Sequence, residues 1–277
     1  MKRRVVYLGT PAMAVPPLRA LVDAGHEVVL VVTRVDKRRG RGAEMSPSPV
    51  KAAALELGLP VSHDLADVLG CGADLGVVVA YGRIIPVEVL AAVPMVNLHF
   101  SLLPRWRGAA PVERAILAGD TRTGVCVMQV AEGLDTGDVL DTVEVPIHEH
   151  TTADDLRRTL VDVGCHQLVR VLGGPLPDGV PQVGDATYAA KIAPDDLRID
   201  WAATAEAAHR QVRLGGAWTT FRGKRMKIVA AEPGPDNTGL VPGGGLTIRL
   251  LQPEGKAPMA ALDYVRGARP CADERFE

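Results

Sequence analysis

Val5-Val6-Tyr7-Leu8-Gly9, then Pro16 to Ala24, then Gly25, then Val28-Val29-Leu30-Val31-Val32-Thr33: this opening stretch decides the fold. Four apolar residues ending at a glycine read as a short buried strand. Pro16 to Ala24 carries its apolar residues at helical spacing, and Gly25 supplies a C-terminal stop. The β-branched run Val28 to Thr33 is a second buried strand. Val50 to Leu57, stopped by Gly58, predicts another helix, and Leu75 to Ala80 a third strand. Continuous apolar strands separated by helices indicate a parallel sheet covered on both faces. The expectation is an α/β, Rossmann-like first domain.

Further along, Ala109 to Ala118 reads as a helix. Val125 to Val130 and Val139 to Val145 read as strands joined by Glu132-Gly133-Leu134-Asp135-Thr136-Gly137. Thr151 to Leu172 predicts a long amphipathic helix capped by Thr151 or Thr152. Turn formers from Gly173 to Gly179 open a connecting region between roughly 173 and 205. Ala205 to Arg213 then reads as a short helix, and Trp218–Phe221, Met226–Ala230 and Leu246–Leu251 as strands broken by Pro and Gly clusters. The division expected is a domain over 1–190, a linker over 191–204 and a small, mostly β, barrel-like domain over 205–277.

Composition narrows the function classes. The 277 residues are 47% hydrophobic and 23% charged, ordinary for a globular enzyme, with aromatics at only 4%. Cys71, Cys126, Cys165 and Cys271 form no CxxC pair, so neither a zinc site nor a disulfide framework is expected, and a reducing cytoplasm fits. No secretory leader and no membrane-length apolar run is read. The formal net charge of -2 argues against coating nucleic acid by bulk electrostatics. Charge is nonetheless uneven. Residues 201–277 hold eleven Lys/Arg against eight Asp/Glu, and residues 34–51 gather Arg34, Lys37, Arg38, Arg39, Arg41 and Lys51 against Asp36 and Glu44. By itself such a run reads first as a solvated loop.

Gly9-Thr10-Pro11 after the first strand lacks the second glycine of a dinucleotide fingerprint, and no P-loop occurs. The densest chemistry lies in Val96-Asn97-Leu98-His99-Phe100-Ser101. On a strand from Val96 to Phe100, Asn97 and His99 project from the same face. An amide can donate to a developing oxyanion while an imidazole holds or passes a proton. The alternative is a buried polar pair holding a turn. The strand opens into a loop with Arg105, Trp106, Arg107 and Gly108, the usual place for a site in an α/β sheet. Asp135, in a Gly-flanked turn, could orient the imidazole's proton.

The run Asn97-Leu98-His99-Phe100-Ser101-Leu102-Leu103-Pro104-Arg105-Trp106-Arg107-Gly108-Ala109-Ala110-Pro111, with Gly133-Leu134-Asp135-Thr136-Gly137 behind it, closely resembles the methionyl-tRNA formyltransferases within the folate-dependent formyltransferase family. Ala80-Tyr81-Gly82, Gly40-Arg41-Gly42, Ser46-Pro47-Ser48-Pro49-Val50-Lys51, Tyr188-Ala189-Ala190-Lys191-Ile192 and Ile199-Asp200-Trp201 support it. The resemblance implies transfer of a formyl group from 10-formyltetrahydrofolate to the amine of initiator methionyl-tRNA. It assigns Asn97, His99 and Asp135 to catalysis and requires no metal. It implies that Ser101, Leu102, Leu103 and Pro104 line the folate site. Tyr81, Gly82, Arg83, Ile84, Ile85 and Leu134 would hold the pterin. Arg38, Arg39, Arg41 and Lys51 would meet the tRNA acceptor stem, and the chain is expected to act as a cytoplasmic monomer.

Departures sit near the C-terminal end. The chain reads as shorter than the family pattern between Lys227 and Leu246, and the usual aromatic-Asn-Pro run is missing before Trp218. Two rival readings share parts of the pattern: an N-formyltransferase acting on a nucleotide-linked amino sugar, and a catalytically silent RNA-binding relative. The Pro-Ser-Pro-Val-Lys segment stands against the first. The intact Asn/His/Asp set and the low net charge stand against the second.

Overall fold

The computed structural model describes residues 1–38 and 45–277. Two compact units emerge. The first comprises Met1–Pro111, Arg122–Pro146 and Arg157–Ala190; the second comprises Val112–Thr121, Ile147–Leu156 and Lys191–Glu277.

The first unit is built on seven strands: β1 (Arg4–Gly9), β2 (Glu27–Val32), β3 (Val61–Ser62), β4 (Leu75–Val79), β5 (Met95–His99), β6 (Arg122–Gln129) and β7 (Val139–Pro146). Their spatial order is β7-β6-β5-β4-β1-β2-β3. The five strands from β5 to β3 run parallel, whereas β5 with β6 and β6 with β7 are antiparallel. Between β6 and β7 the reversal follows from connection length, since a short turn with no helix joins them; β5 and β6 are joined by the longer stretch 100–121. Val5, Val6, Tyr7, Leu8, Val31 and Val32 are fully buried, as strands covered on both faces require.

Helices α1 (Val15–Asp23), α2 (Pro49–Glu56), α3 (Val87–Ala92), α4 (Pro111–Ala118) and α5 (Ala153–Leu172) fill the connections. Ser48 caps α2 by accepting from Lys51 N, and its hydroxyl also meets Thr33 Oγ1 at 2.8 Å. The cap of α5 is Thr152, whose Oγ1 accepts from Asp155 N at 3.1 Å, while Thr151 closes the preceding turn onto His148. Gly164 of α5 lies against Leu98, since a Cβ there would come within 3.0 Å of Leu98 Cδ2. Leu98 therefore faces the helix, and its neighbours Asn97 and His99 face the other way.

The second unit holds α6 (Ala205–Arg213), the antiparallel strands β8 (Trp218–Phe221), β9 (Lys224–Pro233), β10 (Leu246–Pro253) and β11 (Met259–Ala260), and α7 (Ala261–Ala268). The expected small, mostly β unit is present as a four-stranded sheet in sequence order, and β8 does not pair with β11. Phe221, Met226, Ile228, Leu240, Val241, Ile248, Leu251 and Phe276 form its core, with Trp201 stacked on Phe276. The short connection between β9 and β10 is pinned by Asp236, which accepts from Thr238 N and Val241 N.

Two helices depart from the sequence reading. Helix α3 is six residues long, less than two turns, so it carries no clear helical period, and α7 contains Gly267 and ends on Arg269 in the left-handed region (φ 47°). The strand expected over Val96 to Phe100 begins one residue earlier and stops at His99.

Candidate active site

Strand β5 sits in the middle of the sheet, with Asn97 opposite Val78 of β4 and Met128 of β6, and His99 opposite Cys126. Both polar side chains meet Asp135. The Asn97 amide donates to Asp135 Oδ1 at 3.4 Å, a long contact, and His99 Nδ1 lies 3.6 Å from Asp135 Oδ2. The second distance is that of a charge contact rather than a hydrogen bond. The His99 and Asp135 side chains are only 6% and 14% exposed, so a proton taken up by the imidazole would meet the carboxylate with little screening by solvent.

Two backbone groups fix this arrangement. His99 Nε2 lies 2.9 Å from the Trp106 carbonyl oxygen, which can only accept, so Nε2 carries a proton and Nδ1 is the atom turned to the carboxylate. Trp106 has φ 62° and Asp135 φ 52°, each a left-handed conformation costing a bulky residue roughly 1 kcal/mol or more. The N–H of Gly108 donates to Asp135 Oδ2 at 2.7 Å. Gly108 has φ 114°, and a Cβ there would stand 3.0 Å from Ala189 O, so glycine is required by both conformation and space.

The loop is held from outside by residues 187–189. Arg107 and Gly108 pair in parallel with Tyr188 and Ala189, and Trp106 N donates to Thr187 Oγ1 at 2.9 Å. Gln182, in the connecting region just past the turn formers of Gly173 to Gly179, joins the Asp135 turn to Arg107. The sequence reading missed Trp106 O, Gly108 N–H, Gln182 and Thr187. Two of these act through the backbone, where residue type is a weak guide. Gln182 and Thr187 lie in irregular chain with no periodic signal.

The remaining expected residues are distributed as follows. Ser101 is fully buried and its hydroxyl donates to Arg105 O at 2.6 Å. Leu102 packs toward Gly124, and Leu102, Leu103 and Pro104 are half-buried. Tyr81 and Ile85 belong to the core beneath the sheet, whereas Gly82, Arg83 and Ile84 are exposed, Ile84 at 85%. The Tyr81 hydroxyl is buried with no partner at good hydrogen-bond geometry; burial pushes its pKa up, and the nearby Arg83 guanidinium, by its charge and side-chain contact, opposes the rise. Leu134 is 59% exposed on the turn that bears Asp135. Arg38 is exposed on a two-residue ladder, Lys37–Arg38 with Met45–Ser46. Lys51 is bound through Nζ to both oxygens of Asp36, at 2.9 and 2.8 Å. Arg39 and Arg41 lie outside the described residues.

An amide and an imidazole on one face of a strand, braced by a shared carboxylate beside a Gly-Leu-Asp-Thr-Gly turn, coincide with a family match. The formyl transferase model matches residues 2–172, and the formyl transferase C-terminal domain model matches residues 191–247. The chain belongs to the formyl transferase family. Two methionyl-tRNA formyltransferases are among the relatives of this formyl transferase. That of Symbiobacterium thermophilum is 43% identical, covering 99% of this chain and 95% of its own length. That of Thiobacillus denitrificans is 42% identical, covering 99% of each. The first alignment runs over 311 positions against 277 residues here, so this chain is the shorter along the match.

Among solved structures, the N-formyltransferase from Helicobacter canadensis, in complex with folinic acid and dTDP-3-aminofucose, has a TM-score of 0.69 at 18% identity. It covers 90% of this chain and 99% of its own. Methionyl-tRNA formyltransferase from Clostridium thermocellum has a TM-score of 0.65 at 15% identity, covering 91% and 99%. HypX from Aquifex aeolicus, in complex with tetrahydrofolic acid, has a TM-score of 0.67 at 16% identity, and this chain spans 49% of its length. These likenesses establish the formyl transferase fold.

Proposed function

We propose that this formyl transferase moves the formyl group of 10-formyltetrahydrofolate to the amino group of methionyl initiator tRNA. The observation that carries the reading is the convergence of Asn97, His99 and Asp135 in a poorly solvated site. Near-complete coverage in both directions with methionyl-tRNA formyltransferases favours the tRNA acceptor over an amino sugar.

Asn97 Nδ2 is held only loosely by Asp135 Oδ1, so it can turn to the formyl oxygen as the acceptor amine adds and negative charge develops there. His99 keeps Nε2–H on the Trp106 carbonyl and presents Nδ1 beside the carboxylate, placed to take the proton lost by the amine. Asp135 stabilises the imidazolium that results and helps return that proton to the leaving nitrogen of the folate as its bond to the formyl carbon breaks. For the donor itself, Ile84 and Leu134 offer exposed apolar surface, and the buried Tyr81 hydroxyl lies in the same short segment of chain as Ile84. An apolar surface with turn backbone beside it suits a flat, hydrogen-bonding pterin, and in this reading Ser101 and Leu102 shape the site from behind. The fit supports a folate. Folate-bound structures of HypX and of the Helicobacter canadensis enzyme, which share the fold, support it further.

For the acceptor, exposed Arg38, with Arg39 and Arg41, meets tRNA phosphates. Lys51 serves the same loop by bracing its base on Asp36. Binding of this kind weakens as salt rises. A cytoplasmic monomer suits this role; among the described residues no helix is long and apolar enough to cross a membrane.

The test is transfer of labelled formyl from 10-formyltetrahydrofolate to methionyl initiator tRNA. Asn97→Ala is expected to lower kcat by roughly 10²- to 10³-fold, the usual loss for one oxyanion donor. Absence of transfer by the unaltered protein, with folate still bound, would redirect the assignment to a small amine acceptor.

A further inference from the structure

We infer that Gln182 is a positioning residue for the reaction, acting on Asp135. Its side-chain amide uses its whole hydrogen-bonding capacity at the site. Nε2 donates to the carbonyl of Asp135 at 2.9 Å and to the carbonyl of Gly137 at 2.8 Å. Oε1 accepts from Arg107 Nε at 3.1 Å and from its terminal nitrogen at 2.6 Å. Two carbonyls need donors and a guanidinium needs an acceptor, so the amide orientation is set by its partners.

The two carbonyls belong to the turn in which Asp135 stands at φ 52°, in the left-handed region. Arg107 belongs to the loop whose Trp106 carbonyl and Gly108 N–H hold His99 and Asp135. Gln182 thus ties the carboxylate's turn to the imidazole's loop and keeps the two at one separation. No other common side chain meets these demands from this place. Glutamate sets a negative oxygen against two carbonyls, asparagine is a methylene short, and methionine matches the length without the polar atoms.

This inference rests on the catalytic reading of Asp135, so the experiment tests both separately. Formyl transfer is followed in single turnovers with enzyme in excess, so that very slow transfer is still counted. The proteins compared are the wild type, Gln182→Met, Asp135→Asn and the double variant, each scaled to its folate-binding sites. Gln182→Met is expected to lower the rate per site roughly 10- to 100-fold, as a displaced catalytic group does. In the Asp135→Asn background the same change is expected to cost less than about twofold, because its target is already gone. Equal losses in both backgrounds, or no loss in the single variant, overturn the role of Gln182. If Asp135→Asn transfers formyl at the wild-type rate, the assignment of Asp135 fails and the role of Gln182 with it. A purely structural role would reduce the number of folate-binding sites and leave the rate per site unchanged.

Discussion

Gly137 shows how little freedom the turn at the site has. A Cβ built on it would come within 1.9 Å of Gln129 O and 2.8 Å of Gln129 C, so any side chain must push two backbone segments apart. Gly137→Ala is expected to destabilise the fold by roughly 1–3 kcal/mol, as overpacking does, and to cost more in formyl transfer than in stability. Urea titration alongside the transfer assay checks this; wild-type values in both would remove the steric account. The contact partners of the site were legible in sequence only where chemistry shows in residue type. Asn97 and His99 share a face because strand side chains alternate, and the Gly-flanked turn marked Asp135. The carbonyl that fixes His99 belongs to Trp106, and its role depends on a positive φ that no tryptophan advertises.

The elements of the sheet were legible because their signals are long and agree with one another. Buried apolar strands β1, β2 and β4 and the glycines that end α1 and α2 point to one arrangement. Helix α3 was not, since six residues are less than two turns and hold no clear period; α7 does space Ala261, Tyr264, Val265 and Ala268 as a helix, but it is short and broken by Gly267 before its end. Helix α5 offers a check at this level. Thr152 and Asp155 form a reciprocal cap at its first turn, with Thr152 N also 3.4 Å from Asp155 Oδ2. Thr152→Ala is expected to cost about 1 kcal/mol in thermal unfolding, and Thr152→Ser to restore most of it. Thr151→Ala should cost less, its hydroxyl closing only a turn; a larger loss there would move the cap.

The molecule as a whole depends on ties between distant parts of the chain. In the second unit Glu274 takes two 2.6 Å hydrogen bonds from Arg222, and its carboxyl is held at about 2 by that guanidinium and by Cys271 N–H. A carboxylate depressed in the fold stabilises it above its ordinary value of 4.5, and the contribution is lost as pH falls through about 2. Glu274→Gln should therefore lower the melting temperature at neutral pH, with the gap narrowing below pH 4.5 and on adding salt. A gap unchanged by acid would exclude that pair as its cause. In the first unit Arg3 ties the first strand to the carbonyls of Leu172 and Gly174, and a second set of long ties belongs to the site. Residues 104–110 and 135–137 are held by residues 182–189, which follow α5 and lie beyond residue 172, where the family's N-terminal model stops. A nascent chain released by the ribosome at that point would already carry every strand of the seven-stranded sheet and the three side chains proposed for catalysis. It would lack the clasp that holds two of them together, so competence for transfer arrives late in synthesis.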